Sequence, residues 1–375
     1  MNRMKCLYLI AFAICASVLG FNCAVAGELD DEDGSRLWLR GDKDNGAEVL
    51  FRGAMMPSIE IALSELRGGW RGGPVRLELK KGGGKESFRI FSDKNGIKIT
   101  SAGDAGLLYG AYHLLRMQNT GADMSNIDVS ETPAFDLRIL NHWDNPDGSI
   151  ERGYAGHSLW RWDELPGVVS PRYREYARAN ASVGINGAVL NNVNASPTIL
   201  TKDNLVKVKA IADELRPYGV KTYISVNFAS PMVVGGLPTA DPLDKGVGRW
   251  WKDKVDEIYG LIPDFGGFLV KANSEGQPGP CDYGRTHAEG ANMLAAALAR
   301  HGGIVMWRAF VYSASDSDRA KQASLEFQPL DGEFAPNVIV QIKNGPIDFQ
   351  PREPYSPLFT SLEHTPTMVE MQLTQ

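Results

Sequence analysis

The sequence predicts an α/β chain, a small α+β domain followed by a (β/α)8 TIM barrel of which about seven strands are present. Three observations carry that expectation. After Pro133 short apolar runs alternate with stretches of helical periodicity, the pattern of a parallel sheet covered by helices. Each run breaks off into a polar cluster, as barrel strands do where they deliver side chains to one mouth. Before Pro133 the texture differs: alternating strands and two helical stretches fill roughly ninety residues, enough for a compact α+β unit. No G-x-G-x-x-G follows the first barrel strand, which weighs against an open dinucleotide-binding sheet.

The 375 residues are 43% hydrophobic and 22% charged, so a large core in two domains, or a barrel with an appendage, is within reach. A formal net charge of −6 gives no support to a nucleic-acid partner, which leaves a basic footprint. Residues 1–26 have the design of a signal peptide: Arg3 and Lys5, an apolar stretch over 6–19, and Ala24-Val25-Ala26 as a cleavage site. The acidic run over 28–33 after it argues against a membrane anchor. Cleavage would remove Cys6, Cys15 and Cys23 and leave Cys281 alone, so neither an intrachain disulfide nor a thiolate metal cluster is expected. The expected setting is a periplasmic or secreted bacterial protein, with no membrane association after cleavage.

In order, the first domain (27–132) should contain a short strand over 37–39 and a helix over 54–66 stopped by Gly68-Gly69. Strands at 75–79, 88–91 and 97–99 follow, with Asn95-Gly96 as the turn of a hairpin, and then an amphipathic helix over 106–117. Lys81-Gly82-Gly83-Gly84-Lys85 lacks the spacing and the Ser/Thr of a phosphate loop and reads as a solvated turn. Residues 123–132 form a polar connector. The second domain (133–375) should carry strands at 135–140, 185–190, 220–226, 266–270, 304–307, 338–342 and 368–373. Helices at 202–216, 250–259, 290–300 and 318–327 lie between them. His142, His157, His287, His301 and His364 share no metal-ligand spacing, and Trp160, Trp162, Trp250 and Trp251 read as packing residues.

The strand ends collect Trp143, Val193, Lys271, Glu275, Arg308, Lys343 and Asp348. Two carboxylates among cations suit cleavage of a glycosidic bond, which needs an acid on the leaving oxygen and a carboxylate opposite it. Three cations at one mouth are costly to assemble without an anion, and a substrate carboxylate would supply one, held in a fork by Arg. Trp143 offers a flat apolar face to a sugar ring or a methyl group. The bland readings are a solvated loop acid for Glu275, a side-chain turn for Asp348, and ordinary ion-pair or strand-end roles for Arg308 and Lys343.

Four segments go further. Residues 273–280 (NSEGQPGP), 341–350 (QIKNGPIDFQ), 141–145 (NHWDN) and 371–375 (MQLTQ) closely resemble the α-glucuronidases of glycoside hydrolase family 67, and the likeness runs from about Leu37 to the last residue. The resemblance implies a small α+β domain, a catalytic (β/α)8 barrel and a C-terminal helical domain, the last of these absent here. It also implies inverting release of 4-O-methylglucuronic acid from α-1,2-substituted xylo-oligosaccharides, with no cofactor and no metal. By the same resemblance Glu275 is the general acid, and Asp348 is one of two carboxylates that activate water. Lys271, Arg308 and Lys343 hold the uronate, and Trp143 and Val193 flank the methyl group. The family's second base-side glutamate follows the MQLTQ-type segment, and this chain ends at Gln375, one residue short of it. Glu370 is no substitute, being about 20 Å down an extended strand at ~3.3 Å per residue. Two alternatives remain: an inactive remnant that at most binds uronic acids, and a hexosaminidase of family 20, which should show an Asp-Glu pair where Ser274-Glu275 stands.

Overall fold

The computed structural model describes residues 38–39, 46–151, 156–310, 319–345 and 355–372. The leader over 1–26 and Asp348 lie outside the described residues.

The first unit is a five-stranded mixed sheet, ordered β1-β2-β4-β3-β5: β1 (Val49–Phe51), β2 (Val75–Leu79), β3 (Phe88–Asp93), β4 (Gly96–Ser101) and β5 (Asp128–Glu131). Two helices pack together beside it. Helix α1 (Pro57–Gly69) starts on a proline and buries Ile59, Ala62, Leu63 and Leu66; α2 (Asp104–Asn119) buries Leu107, Leu108, Ala111, Leu114 and Leu115. The β3–β4 hairpin turns through Lys94 and Asn95, one residue earlier than expected. Gly96 opens β4 opposite Asp93 at φ +109, where any side chain would meet the Pro74 carbonyl 2.3 Å away. Two strands were missed, β1 and the polar β5. The strand expected over 37–39 is not found in its described part: Trp38 sits in a turn, and Leu39 belongs to no strand.

The second unit is a curled sheet of seven parallel strands in chain order, each pairing only with its sequence neighbours. These are β6 (Ile139–Asn141), β7 (Gly187–Val189), β8 (Lys221–Ser225), β9 (Gly267–Val270), β10 (Ile304–Arg308), β11 (Val338–Lys343) and β12 (Thr367–Glu370). The longer connecting helices are α3 (Arg172–Ser182), α4 (Lys202–Leu215), α6 (Lys245–Leu261), α7 (His287–Leu298) and α8 (Arg319–Phe327). Shorter ones are α5 (Ser230–Val233), which precedes α6, and α9 (Leu358–Ser361), which precedes β12. Side chains on the two faces have different company. Ala188, Ile224, Phe268, Val270, Val305, Trp307 and Val340 join the main core with the helices, while Val189, Tyr223, Leu269 and Met306 form a separate cluster with Ile139, Ile304 and Met368. Alternation along a strand puts these sets on opposite faces, so the second cluster lines the inner face of the curl. Trp160, Trp162 and Trp251 are buried, as their packing role requires.

Two carboxylates join the units. Glu65 of α1 takes the Arg178 guanidinium through both oxygens, at 2.5 and 2.8 Å, and accepts from the Tyr112 hydroxyl at 3.1 Å. Glu86 accepts from Arg138 at 3.0 Å and Asn186 at 3.1 Å.

Candidate active site

The inner-face register leads directly to the site. Two residues beyond Leu269, Met306 and Met368 on their strands stand Lys271, Arg308 and Glu370; two beyond Gln341, on β11, is Lys343. All sit at the C-terminal ends of neighbouring parallel strands. One open cavity is lined by Trp143, Glu151, Val193, Asn194, Lys271, Glu275, Arg308, Phe310 and Lys343. Six of the seven residues singled out in the sequence therefore share one cavity, and the seventh, Asp348, lies outside the described residues.

Lys271 is buried, with 1% of its side chain exposed, and its ammonium is ion-paired to Glu275 and donates to Asn194 Oδ1 at 2.7 Å. Asn194 in turn donates to Glu151 Oε2 at 2.8 Å. Burial pushes the Lys271 amine below its ordinary value, with Glu275 working against that shift. For Glu275, burial pulls the carboxyl up, but the Lys271 hydrogen bond and the charges of Lys271, Arg308 and Lys343 outweigh it and hold the carboxyl below its usual range.

The turn carrying Glu275 is tightly specified. Asn273 and Glu275 both adopt φ +49, a left-handed conformation costly for a residue with a side chain, held only where its surroundings demand it. Those surroundings are a Ser274–Gln277 bridge, an Asn227-to-Gln277 hydrogen bond at 3.1 Å, and Asn273 bonded to the Cys281 backbone and to Asp282, both at 3.0 Å. Beneath Trp143, buried Asp144 accepts from Ser158 Oγ at 2.6 Å and the Leu159 amide at 3.0 Å, which fixes the loop after β6.

Three residues missed by sequence reasoning complete the wall: Glu151, Asn194 and Phe310. The Phe310 ring lies under two cations, with the Arg308 guanidinium 5.2 Å and the Lys343 ammonium 3.3 Å from its centroid. Glu370, behind the wall, receives Arg308 through both oxygens, Nε and Nη2 each at 2.7 Å. Alternation counted from Met368 was the available signal for Glu370. Among the described residues no group of three or more His, Cys, Asp or Glu is placed to hold a metal ion, and no helix is long and apolar enough to cross a membrane.

Likeness to solved structures concerns the fold. A GH138 enzyme targeting pectin rhamnogalacturonan II superposes with a TM-score of 0.54 at 16% identity, over 86% of this chain and 42% of its own. A Streptomyces plicatus β-hexosaminidase gives 0.52 at 13% identity, over 88% and 72%. The sequence then settles the family. The model of the glycosyl hydrolase family 67 middle domain matches residues 117–375, more than half the chain, and the chain belongs to that family. A probable α-glucuronidase A of Aspergillus terreus is 50% identical, and one of Neosartorya fischeri 51%, each over 77% of this chain. The chain spans 35% of the length of these curated relatives. Their fungal source overturns the bacterial, periplasmic setting expected from the leader. A charged start, an apolar run and a small-residue cleavage site form a general secretory design and do not identify a kingdom.

Proposed function

We propose that this chain is the uronate-holding, acid-bearing part of an inverting α-glucuronidase that releases 4-O-methylglucuronic acid from α-1,2-substituted xylo-oligosaccharides. The observation that carries the reading is the single cavity in which Lys271, Arg308 and Lys343 converge beside Glu275, Trp143 and Val193. The name α-glucuronidase borne by relatives at about half identity points the same way. In this reading residues 27–132 form an α+β domain behind a leader over 1–26, and residues 133–375 belong to a (β/α)8 barrel.

The three cations receive the substrate carboxylate, and Trp143 and Val193 pack against the methyl ether. Glu275 is ionised while it is paired with Lys271, yet it has to be protonated to serve as an acid. The incoming carboxylate resolves this by taking Lys271 for itself, which removes the main influence holding the Glu275 carboxyl down and lets it bind a proton. Glu275 then gives that proton to the xylosyl oxygen as the glycosidic C–O bond breaks. Water attacks the anomeric carbon from the opposite face and loses its proton to Asp348 and a companion carboxylate.

Incubating a full-length form, one that carries the companion carboxylate, with 4-O-methylglucuronosyl xylotriose tests the proposal. Free 4-O-methylglucuronic acid is expected, and undiminished release by Glu275→Gln would refute it. A second reading, a chain that binds uronates without turning them over, is favoured by one observation: among the described residues β6 and β12 are the unjoined edges of an open sheet. D-glucuronate binding without hydrolysis would select it.

A further inference from the structure

We propose that Glu370 is a positioning residue for uronate recognition, holding the Arg308 guanidinium in the orientation that receives the substrate carboxylate. The proposal rests on the reading of the cavity as a uronate site.

Glu370 and Arg308 come from strands that are not neighbours. In the sheet register Glu370 stands beside Lys343 on β11, and Arg308 stands beside Gln341 on the same strand. The Glu370 and Arg308 side chains nonetheless meet across β11. The contact is a two-point fork, Nε to Oε2 and Nη2 to Oε1, both 2.7 Å, with 3% of the Arg308 side chain and 8% of the Glu370 side chain exposed. A fork of this kind fixes the plane of the guanidinium as well as its charge. Phe310 adds a cation–π contact, its ring centroid 5.2 Å from the guanidinium carbon.

The groups around Arg308 show why an anchor is needed. Lys271 and Lys343 repel it, and Glu275, whose carboxyl already feels the Arg308 charge, attracts it. Without Glu370, a buried guanidinium among two ammoniums would turn toward Glu275, a carboxylate of the same cavity wall. That movement would withdraw Arg308 from the substrate and set a second cation on the acid. Glu370 thus keeps recognition and proton transfer on separate side chains.

Calorimetric titration of the full chain with D-glucuronate, and with neutral D-glucose as the control, tests this through Glu370→Gln, Arg308→Gln and the double variant. Glu370→Gln should weaken glucuronate at least tenfold and leave glucose unchanged, and the double variant should bind glucuronate no worse than Arg308→Gln alone. Should Glu370→Gln lose its cooperative melt, Glu370→Asp takes its place, since it keeps the charge at the sheet edge but sets it back by a methylene. Glucuronate affinity within twofold of the unsubstituted chain, or additive losses in the double variant, would overturn the proposal and leave the uronate site standing. Failure of the unsubstituted chain to prefer glucuronate over glucose would overturn the uronate site and this proposal together.

Discussion

Lys271 and Glu275, four residues apart across a left-handed turn, are the centre of the proposed chemistry, and each has a testable consequence. Glu275→Gln keeps the shape of the acid without its proton, so hydrolysis should fall by about 10²-fold or more, as read from initial rates of uronic acid release. Its titration has a stability consequence too. A carboxyl held below its unfolded value adds stability above that unfolded value and loses it as the pH falls through the lower folded value. Thermal melts should therefore show the unsubstituted chain losing more stability than Glu275→Gln between about pH 5 and pH 3. Equal losses would show that the ion pair does not lower the carboxyl. At this scale the sequence was readable wherever a strand ended in a sharp polar break, as at Lys271, Arg308 and Lys343. Glu370 was weighed only as a stand-in for the missing base and set aside on distance; its place beside Arg308 shows only once β12, which ends at Glu370, is seen to be separated from β10 by a single strand. Phe310 was invisible because its use, a ring beneath two cations, depends on β10 and β11 lying side by side.

Among the elements, β9 deserves the first test, since it carries both Lys271 and the Glu275 turn. It opens on Gly267 at φ +137, where an added Cβ would lie 2.0 Å from the Ile304 carbonyl oxygen of β10. Gly267→Ala should destabilise the chain by at least about 2 kcal/mol in a denaturant melt, because the clash is with backbone and cannot be relieved by a rotamer change. Glu65→Ala should cost about 3 kcal/mol by leaving Arg178 half-buried without its carboxylate. A loss below about 1 kcal/mol would mean that solvent replaces the contact. Elements with strong periodicity were legible to within a few residues, α4 and β2 among them. Helix α3 was not, because its buried side, Tyr173, Ala177 and Ala181, is small and interrupted by arginines. Strand β5, DVSE, has too little apolar character to signal itself and is defined by pairing with β3.

For the molecule as a whole, seven parallel strands in chain order were readable because most of the strands lie in short apolar runs that soon break into polar residues. Which face looks inward was not readable, since β7 and β9 are buried on both sides and show no alternation. The stereochemistry of hydrolysis is the most direct test of the proposed activity. Proton NMR of the anomeric region, followed from the first minutes of digestion of a 4-O-methylglucuronosyl xylo-oligosaccharide, should show the β-anomer of the free uronic acid first and its α-anomer only as mutarotation proceeds. The α-anomer as first product would contradict an inverting reaction driven from Glu275.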